Sequence, residues 1–470
     1  MVALPQSPGS RSPSPCGCPR LPILAAVITG ALLGCAWRAP LGGADYAHLG
    51  TVPLAGVDAV ASNPYGIAFH PLEPLGYVAL AGDVAPFGEP PEDHNGSTVA
   101  EVDLSTLSVT RSFPVGLFPT ELVVTPDGAH LFVTCSTASA LCRIDLATEE
   151  VTELPLTDSS GAAVSFPAGI ALSPDAGEVW VTSNGGSFDG SSENLLIIDR
   201  ATGAILERLV IAGGMSRFAV REDGRVVLPV GFPGDQFTAP PEVRIYDTTG
   251  GWSLLATLTL SVDTADFPAP YDARLSADGS RAYVSVFGGS SEIFVIDLVT
   301  LDLLPSLELP GGDFAQSGLG VTPDGAHLLV GEFFASQARV LDLASGAVVA
   351  TLATGPLPNA VGVHGGRAWI TSQGGEGVDL FALPGAFLRG DANGDRIIDI
   401  ADGITILAYL FGPGSLSCED AADSNDDGAI DLADPIGIFQ FLFQPGSSPP
   451  AYPFPQVGDD LTGDALGCDG

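Results

Sequence analysis

Phe118-Pro119-Thr120-Glu121-Leu122-Val123-Val124-Thr125-Pro126-Asp127-Gly128 opens a unit that continues through Leu131-Phe132-Val133-Thr134 to Ile144-Asp145-Leu146. Its Pro-Asp-Gly is a tight turn: proline presets φ, aspartate hydrogen-bonds its own backbone, and glycine accepts φ > 0. The flanking runs carry the apolar/polar alternation expected of strands stacked face to face. The turn recurs as Pro174-Asp175, Glu222-Asp223-Gly224, Ala277-Asp278-Gly279 and Pro323-Asp324-Gly325, with successive aspartates 48, 48, 55 and 46 residues apart. A second element recurs in step, at Val102-Asp103, Ile198-Asp199, Tyr246-Asp247, Ile296-Asp297 and Leu341-Asp342. A period of that length holding four short strands is the period of a β-propeller blade.

Counting strand by strand gives seven units, the first starting near Asn63 and the last near Leu357. The last unit stops after its third strand, at Val378-Asp379-Leu380-Phe381, whereas a spare strand, His48-Leu49-Gly50-Thr51-Val52-Pro53-Leu54, precedes the first. Pairing the two closes a ring and removes the exposed sheet edges that invite aggregation. The expected fold is therefore all-β, a seven-bladed propeller over residues 44–386, followed by a small helical domain over 387–470.

The repeat resembles the YVTN-type propeller family, which includes lactonase-like members. That resemblance implies the fold; one propeller scaffold hosts enzymes, binders and structural proteins alike.

Composition narrows the functions. Charged residues are 16% of the chain and hydrophobic ones 46%, a globular balance, and 59 Gly with 39 Pro suit many turns. The formal net charge is −39, and every one of the 17 basic residues is Arg. Such a chain repels nucleic acid and anionic membranes and attracts divalent cations. Without Lys it has no Schiff-base chemistry.

The first 35 residues read as an export signal: Arg11 and Arg20 precede an apolar stretch, residues 21–33, too short to span a bilayer comfortably. The sequence Leu32-Leu33-Gly34-Cys35 resembles a bacterial lipobox, implying lipidation of Cys35; ordinary cleavage near Ala39 or Ala44 is the alternative. Either route places the protein outside a bacterial cell or on its surface, touching membrane only through a lipid anchor. Of seven Cys, Cys16 and Cys18 precede the cleavage site. Beyond Cys35, Cys135 with Cys142 and Cys418 with Cys468 are candidate disulfide pairs, and inert thiols are the alternative.

Within the propeller, residues 81–97, 184–193 and 231–241 are long loops between second and third strands, and they make one face elaborate and acidic through Asp83, Glu89, Glu92, Asp93, Asp189, Glu193 and Asp235. Long loops on a rigid scaffold are where a glycan or small ligand would be recognised. Aligning the blades puts Glu121, Arg217 and Asp272 at one position near the channel mouth, where the other blades have Gly66, Gly169, Gly318 and Ala360. Lactonase-like propellers resemble this in placing carboxylate and Arg near the channel, which makes the trio the candidate catalytic set; the alternative is polar lining of a wet channel. His70, His130, His327 and His364 map to first turns on the opposite face, far apart and facing solvent, and argue against a metal enzyme.

From Gly390 the chain changes character. Asp391-Ala-Asn393-Gly-Asp395-Arg-Ile397-Ile-Asp399-Ile-Ala-Asp402 is a twelve-residue loop with side-chain oxygens at positions 1, 3, 5, 9 and 12. Its second copy, 32 residues on, is Asp423-Ser-Asn425-Asp-Asp427-Gly-Ala429-Ile-Asp431-Leu-Ala-Asp434. The backbone carbonyls of Ile397 and Ala429, at position 7, complete an oxygen ring suited to a hard cation, so two calcium ions are expected. Aspartate at position 12 and the lack of an entering helix resemble type I dockerins, whose duplicated loop–helix repeats bind cohesins. Helices following at residues 403–411 and 435–443 complete the likeness. Arg396 departs from it, standing where position 6 normally needs Gly. The resemblance implies that positions 10 and 11, Ile400-Ala401 and Leu432-Ala433, help select a cohesin-like partner or other cell-surface component; burial against the Pro-rich tail is the alternative.

Two functional classes follow. One is a non-catalytic secreted binding or scaffold protein displayed through its dockerin-like module. The other is an extracellular hydrolase, lactonase-like or polysaccharide-degrading, carried by the same module.

Overall fold

A computed structural model describes residues 46–468 apart from 59–61, 84–89, 185–192, 212, 234–238, 264–267, 313–314, 385, 396, 417, 452, 455–457 and 459–465. The export signal, with Arg11, Arg20, Cys16, Cys18 and Cys35, lies outside the described residues, as do Glu89, Asp189, Asp235 and Arg396. No helix among the described residues is long and apolar enough to cross a membrane.

Seven antiparallel sheets follow one another along the chain, and six are built from consecutive strands. Blade 1 runs Pro64–Phe69, Leu75–Gly82, Asn95–Asp103 and Ser108–Pro114, and blade 2 runs Pro119–Val124, His130–Cys135, Ala140–Asp145 and Val151–Pro155. In blade 7 the strands Pro358–His364, Arg367–Ser372 and Gly377–Ala382 are completed by His48–Pro53 from the start of the propeller, paired antiparallel with Val52 opposite Val378. The ring is therefore closed by hydrogen bonds between the two ends of the propeller, as the spare strand predicts.

The repeated turn forms as its sequence requires. Gly128 has φ +67°, its N–H reaches the Thr125 carbonyl at 2.8 Å, and the Asp127 carboxylate accepts from the Ala129 N–H at 3.1 Å. One expectation needs revision. Only the outer strands alternate: Ser108–Pro114 exposes every second residue over most of its length, whereas Leu75–Gly82 and His130–Cys135 are apolar and buried along nearly all of theirs. The reason lies in where the core sits. Each hydrophobic cluster straddles two neighbouring blades, such as Tyr77, Val99 and Phe113 of blade 1 against Leu131, Val133 and Ile144 of blade 2. A middle strand is thus covered on both faces and reads as a continuous apolar run. The cluster holding Val52, Leu54, Trp369 and Leu380 with Val78 and Val102 joins blade 7 to blade 1.

A ring of hydroxyls staples the inner strands. The backbone N–H of Gly169 donates to Thr182 Oγ1 at 3.0 Å, and that hydroxyl donates onward to the Ser216 carbonyl of blade 4 at 2.9 Å. Ser285 does the same between Asp272 N–H (3.2 Å) and the Ser317 carbonyl (2.7 Å), and Thr371 between Ala360 N–H (2.9 Å) and the Tyr65 carbonyl (2.6 Å). These hydroxyls are buried, so the bonds answer donors and acceptors that water cannot reach.

A few short helices follow the propeller: α1 (Ile400–Phe411), α2 (Glu419–Ala422) and α3 (Ala433–Phe443). They enclose a small core of Ala392, Ile406, Ala422 and Ile438. Helices α1 and α3 begin earlier than the apolar pattern suggests. In α1, Asp399 caps the Ala401 N–H, while Asp402 reaches back to the Asp399 N–H. The short α2 stands ahead of the second loop, where the sequence gives no entering helix.

Cys418 and Cys468 are joined by a disulfide. Cys135 and Cys142 are not: both are buried thiols with Sγ atoms 3.5 Å apart. Cys135 lies opposite Ala140, and Cys142 opposite Val133, so the two thiols are diagonal neighbours.

Candidate functional site

The inner strands bulge at the same place in blade after blade. Register shifts fall between Pro64 and Ile67, Pro119 and Leu122, Pro167 and Ile170, Pro270 and Asp272, and Pro358 and Val361. In blade 4 the inner strand is broken outright into Gly214–Met215 and Ala219–Val220, with Arg217 in the gap. Bulges re-aim side chains, and the residues beside them, Tyr65, Thr120, Glu121, Ala168 and Tyr271 together with Ser216 and Arg217, line one cavity.

The charged trio divides. Arg217 Nε donates to Glu121 Oε1 at 2.7 Å, with Nη2 2.5 Å from the same oxygen, and Nη1 donates to the Asn359 carbonyl at 3.2 Å. Its guanidinium lies over the rings of Tyr271 and Tyr65, 5.0 and 5.7 Å from their centroids. Burial opposes the charge, yet Glu121, Tyr271 and Asp272 hold the Arg217 pKa well above its ordinary value. Burial pushes Glu121 up, with Arg217 pulling against it. Asp272 is fully buried elsewhere: Oδ2 accepts from the Leu319 N–H at 3.0 Å and faces Arg274 at 3.2 Å. Its position ties one blade to the next. At Gly66, Gly169 and Gly318 a side chain would strike the carbonyl of Thr120, Ser216 or Asn359 in the next blade within 2.5 Å. The glycines therefore report close packing of blades.

Above the Arg217–Glu121 pair is a cavity of about 510 Å³. Tyr65 and Phe118 form one side, with ring centroids 6.0 Å apart. Tyr271, Phe287 and Phe333 form the other in successive contacts of 6.0 and 5.3 Å. Asn184, Gln373 and Phe166 also line it. Sequence alignment of the blades missed Tyr65, Tyr271 and Asn359, which stand one residue before the aligned position. The available signal was Pro64-Tyr65 and Pro270-Tyr271, two aromatics directly preceding the column that was compared.

Two of the four histidines, His70 and His364, are not the solvent-facing decoration expected, whereas His130 and His327 are partly exposed. His70 is buried, its Nδ1 accepting from the Leu72 and Glu73 N–H groups and its Nε2 donating to the Gly128 carbonyl at 3.0 Å. It thus joins blade 1 to the turn of blade 2. His364 stacks on Phe69 at 4.7 Å, and burial lowers its pKa. His70 and His364, read as far apart, line one cavity on the face opposite the mouth, and Pro453 and Phe454 of the C-terminal tail enter that cavity.

In the C-terminal loops, Asp391 Oδ1 accepts from the N–H groups of Gly394 (2.9 Å) and Asp395 (3.1 Å), and Asp423 accepts from those of Asp427 (3.3 Å) and Gly428 (2.8 Å). Asn393 and Asn425 accept from Asp395 and Asp427, and Asp402 and Asp434 accept from Asp399 and Asp431. Asp395, Ile397, Asp399, Asp427, Ala429 and Asp431 lie on the exposed side of their loops. No group of three or more His, Cys, Asp or Glu converges as a metal site among the described residues. The donor set nevertheless fits a hard cation: Asp402, Asp423 and Asp434 are fully buried. Burial first, then the neighbouring aspartates, push Asp402 and Asp434 up to about 6. A basic residue touches the second loop: Arg389, buried, donates to the carbonyls of Asp420 (3.0 Å) and Asp423 (2.8 Å) and pairs with Asp426 at 2.9 Å.

Ile400 and Leu432 are 52% and 48% exposed, so among the described residues nothing buries them. Ile404, Ile436, Phe411 and Phe443 are exposed with them, one set on α1 and its 32-residue counterpart on α3.

No family of known proteins and no individual curated protein matches the sequence. Among solved structures the chain is similar to hydrazine synthase of Kuenenia stuttgartiensis, with a TM-score of 0.57 and 16% identity over 69% of this chain and 96% of that one. At that identity the likeness is one of fold, and the fold is the seven-bladed propeller.

Proposed function

We propose that this chain is an exported bacterial binding protein with two working ends. The C-terminal loops bind two calcium ions and present a dockerin-like surface to a cohesin-like partner, and the propeller mouth holds a ligand. The observation that carries the reading is the repetition, 32 residues apart, of an exposed apolar set (Ile400, Ile404 and Phe411; Leu432, Ile436 and Phe443) beside buried carboxylates. Scattered exposed apolar residues are ordinary, but a duplicated stripe at two helices is the form of a docking surface. Bound calcium would offset the charge of the buried Asp402, Asp423 and Asp434, and so fix the loops from which α1 and α3 start. Lipidation at Cys35 would tether the whole to the cell surface.

The hydrolase reading is the weaker one. Glu121 Oε1 is committed to Arg217, and Asp272 faces Leu319 and Arg274. Glu121 is thus the one carboxylate lining the cavity among the described residues, with no second carboxylate beside it to serve as its acid or base partner.

Calorimetric titration of the full mature chain with calcium should give two binding events, each at least tenfold weakened in the matching Asp391→Ala or Asp423→Ala variant. Ligand present at 100 times its dissociation constant stabilises the folded form by about 2.7 kcal/mol, so chelator should lower the melting point of the helical signal. No heat of binding and an unchanged melt would remove the calcium reading and the docking reading with it.

A further inference from the structure

From the chemistry of the mouth cavity we infer that its ligand is a neutral sugar ring, the terminal units of an uncharged oligosaccharide. This deepens the binding reading of the propeller and is independent of the calcium loops.

A cation is disfavoured because the aromatic cage already holds one. The Arg217 guanidinium lies over Tyr65 and Tyr271, and its charge is met by Glu121. An anion is disfavoured because that one cation is engaged, Asp272 is close enough to act on it, and the chain carries a net charge of −39. A wholly apolar ligand would strip water from the amides of Asn184 and Gln373 without replacing it, at a cost that such sites use to reject it.

What remains is a ligand with apolar ring faces and peripheral hydroxyls. Aromatic side chains supply flat apolar walls, and two neutral amides with a carboxylate supply donors and acceptors for hydroxyl groups. Glu121 Oε1 takes the guanidinium bonds, and Oε2 has no protein donor among the described residues, so it is the acceptor available to a hydroxyl. Phe166, 59% exposed where it lines the cavity, provides the outermost platform. The cavity, about 510 Å³, is within the size range of small-ligand sites.

The test is calorimetry on the full mature chain with cellotriose, xylotriose, mannotriose and maltotriose as probes, beside trigalacturonate and choline. At least one neutral trisaccharide should bind, and Phe166→Ala and Gln373→Ala should each weaken it about tenfold or more with an unchanged melting temperature. The charged probes should bind at least tenfold more weakly. Failure of all four neutral sugars, equal binding of either charged probe, or unchanged affinity in both variants overturns the inference. Chelator and an Ile404→Asp/Ile436→Asp variant should leave sugar affinity intact while abolishing docking. Loss at one end is thereby told apart from loss at the other.

Discussion

Thr182 shows how much one hydroxyl carries. It accepts a hydrogen bond from the Gly169 amide and donates one to the Ser216 carbonyl across the blade boundary, in a position closed to water. Thr182→Val keeps the shape and leaves both backbone groups without a partner. An unsatisfied buried group costs about 1–3 kcal/mol, and the loss should appear as a lower denaturation midpoint with an unchanged slope. Thr351→Val, on an exposed outer-strand position, should change stability by no more than about 0.5 kcal/mol. Equal effects at the two sites would show that the staple contributes nothing. These hydroxyls could not be read from the sequence as staples, because their acceptors lie in another blade and depend on register. The turn aspartates could be read, since Asp127 answers groups within two residues of itself. The buried thiols Cys135 and Cys142 make the same point in reverse: their sequence spacing suits a hairpin bond, and the folded register sets them as diagonal neighbours with both thiols free. The hydrogen bond to Cys142 and burial push the Cys135 thiol up, which keeps it protonated and unreactive.

Among elements, the C-terminal helices were legible because the groups that cap them are local. Asp399 and Asp402, or Asp431 and Asp434, are three apart and meet across one helical turn. What joins this segment to the propeller was not legible, for Arg389 has no neighbour in sequence that explains it. Folded, it lies over the Phe387 ring at 5.1 Å and reaches the carbonyls of Asp420 and Asp423 at the entry to the second loop. Asp426, at positive φ (+60°), is held there with Arg389 as its ion-pair partner. Arg389→Met keeps the bulk and removes the donors, leaving two carbonyls and one carboxylate behind. Removing one partner of a largely buried pair costs about 3 kcal/mol. Since few strands depend on Arg389, the helical signal should melt several degrees earlier while the strand signal stays in place. A single transition unchanged from the parent protein would show that the linker does not hold the second loop.

At the scale of the whole molecule, the two proposed sites lie at opposite ends of one ring. The mouth opens where second-to-third-strand loops meet the blade connections, as in the bond from the Ser136 N–H to the Phe118 carbonyl. The C-terminal tail enters the opposite face beside blades 7 and 1, and Phe454 also contacts Phe441 of α3 at 5.2 Å. A molecule so arranged can be held from one end while the other faces outward, which is what a displayed binder requires. That division rests on the ring staying closed, and closure rests on a strand of six residues, His48–Pro53. Its hydrogen bonds run along Gly377–Ala382, and its Thr51 hydroxyl donates to Asp379, whose other oxygen takes the Gly355 N–H. Inward, Val52 is buried between Val378 and the strands of blade 1. Val52→Asp puts an unpaired charge into that interface without touching the backbone pairing. A buried charge without a partner costs more than about 3 kcal/mol, enough to release the strand and expose the edge of Gly377–Ala382. The variant should melt well below the parent, bind a hydrophobic dye and elute as oligomers through pairing of the bared edges. Val349→Asp, on the exposed face of the equivalent outer strand of blade 6, is the matched control and should remain monomeric with an unchanged melt. If Val52→Asp behaves like its control, the ring is held by the stacking of its blades alone, and the closing strand is not what keeps the mouth in shape.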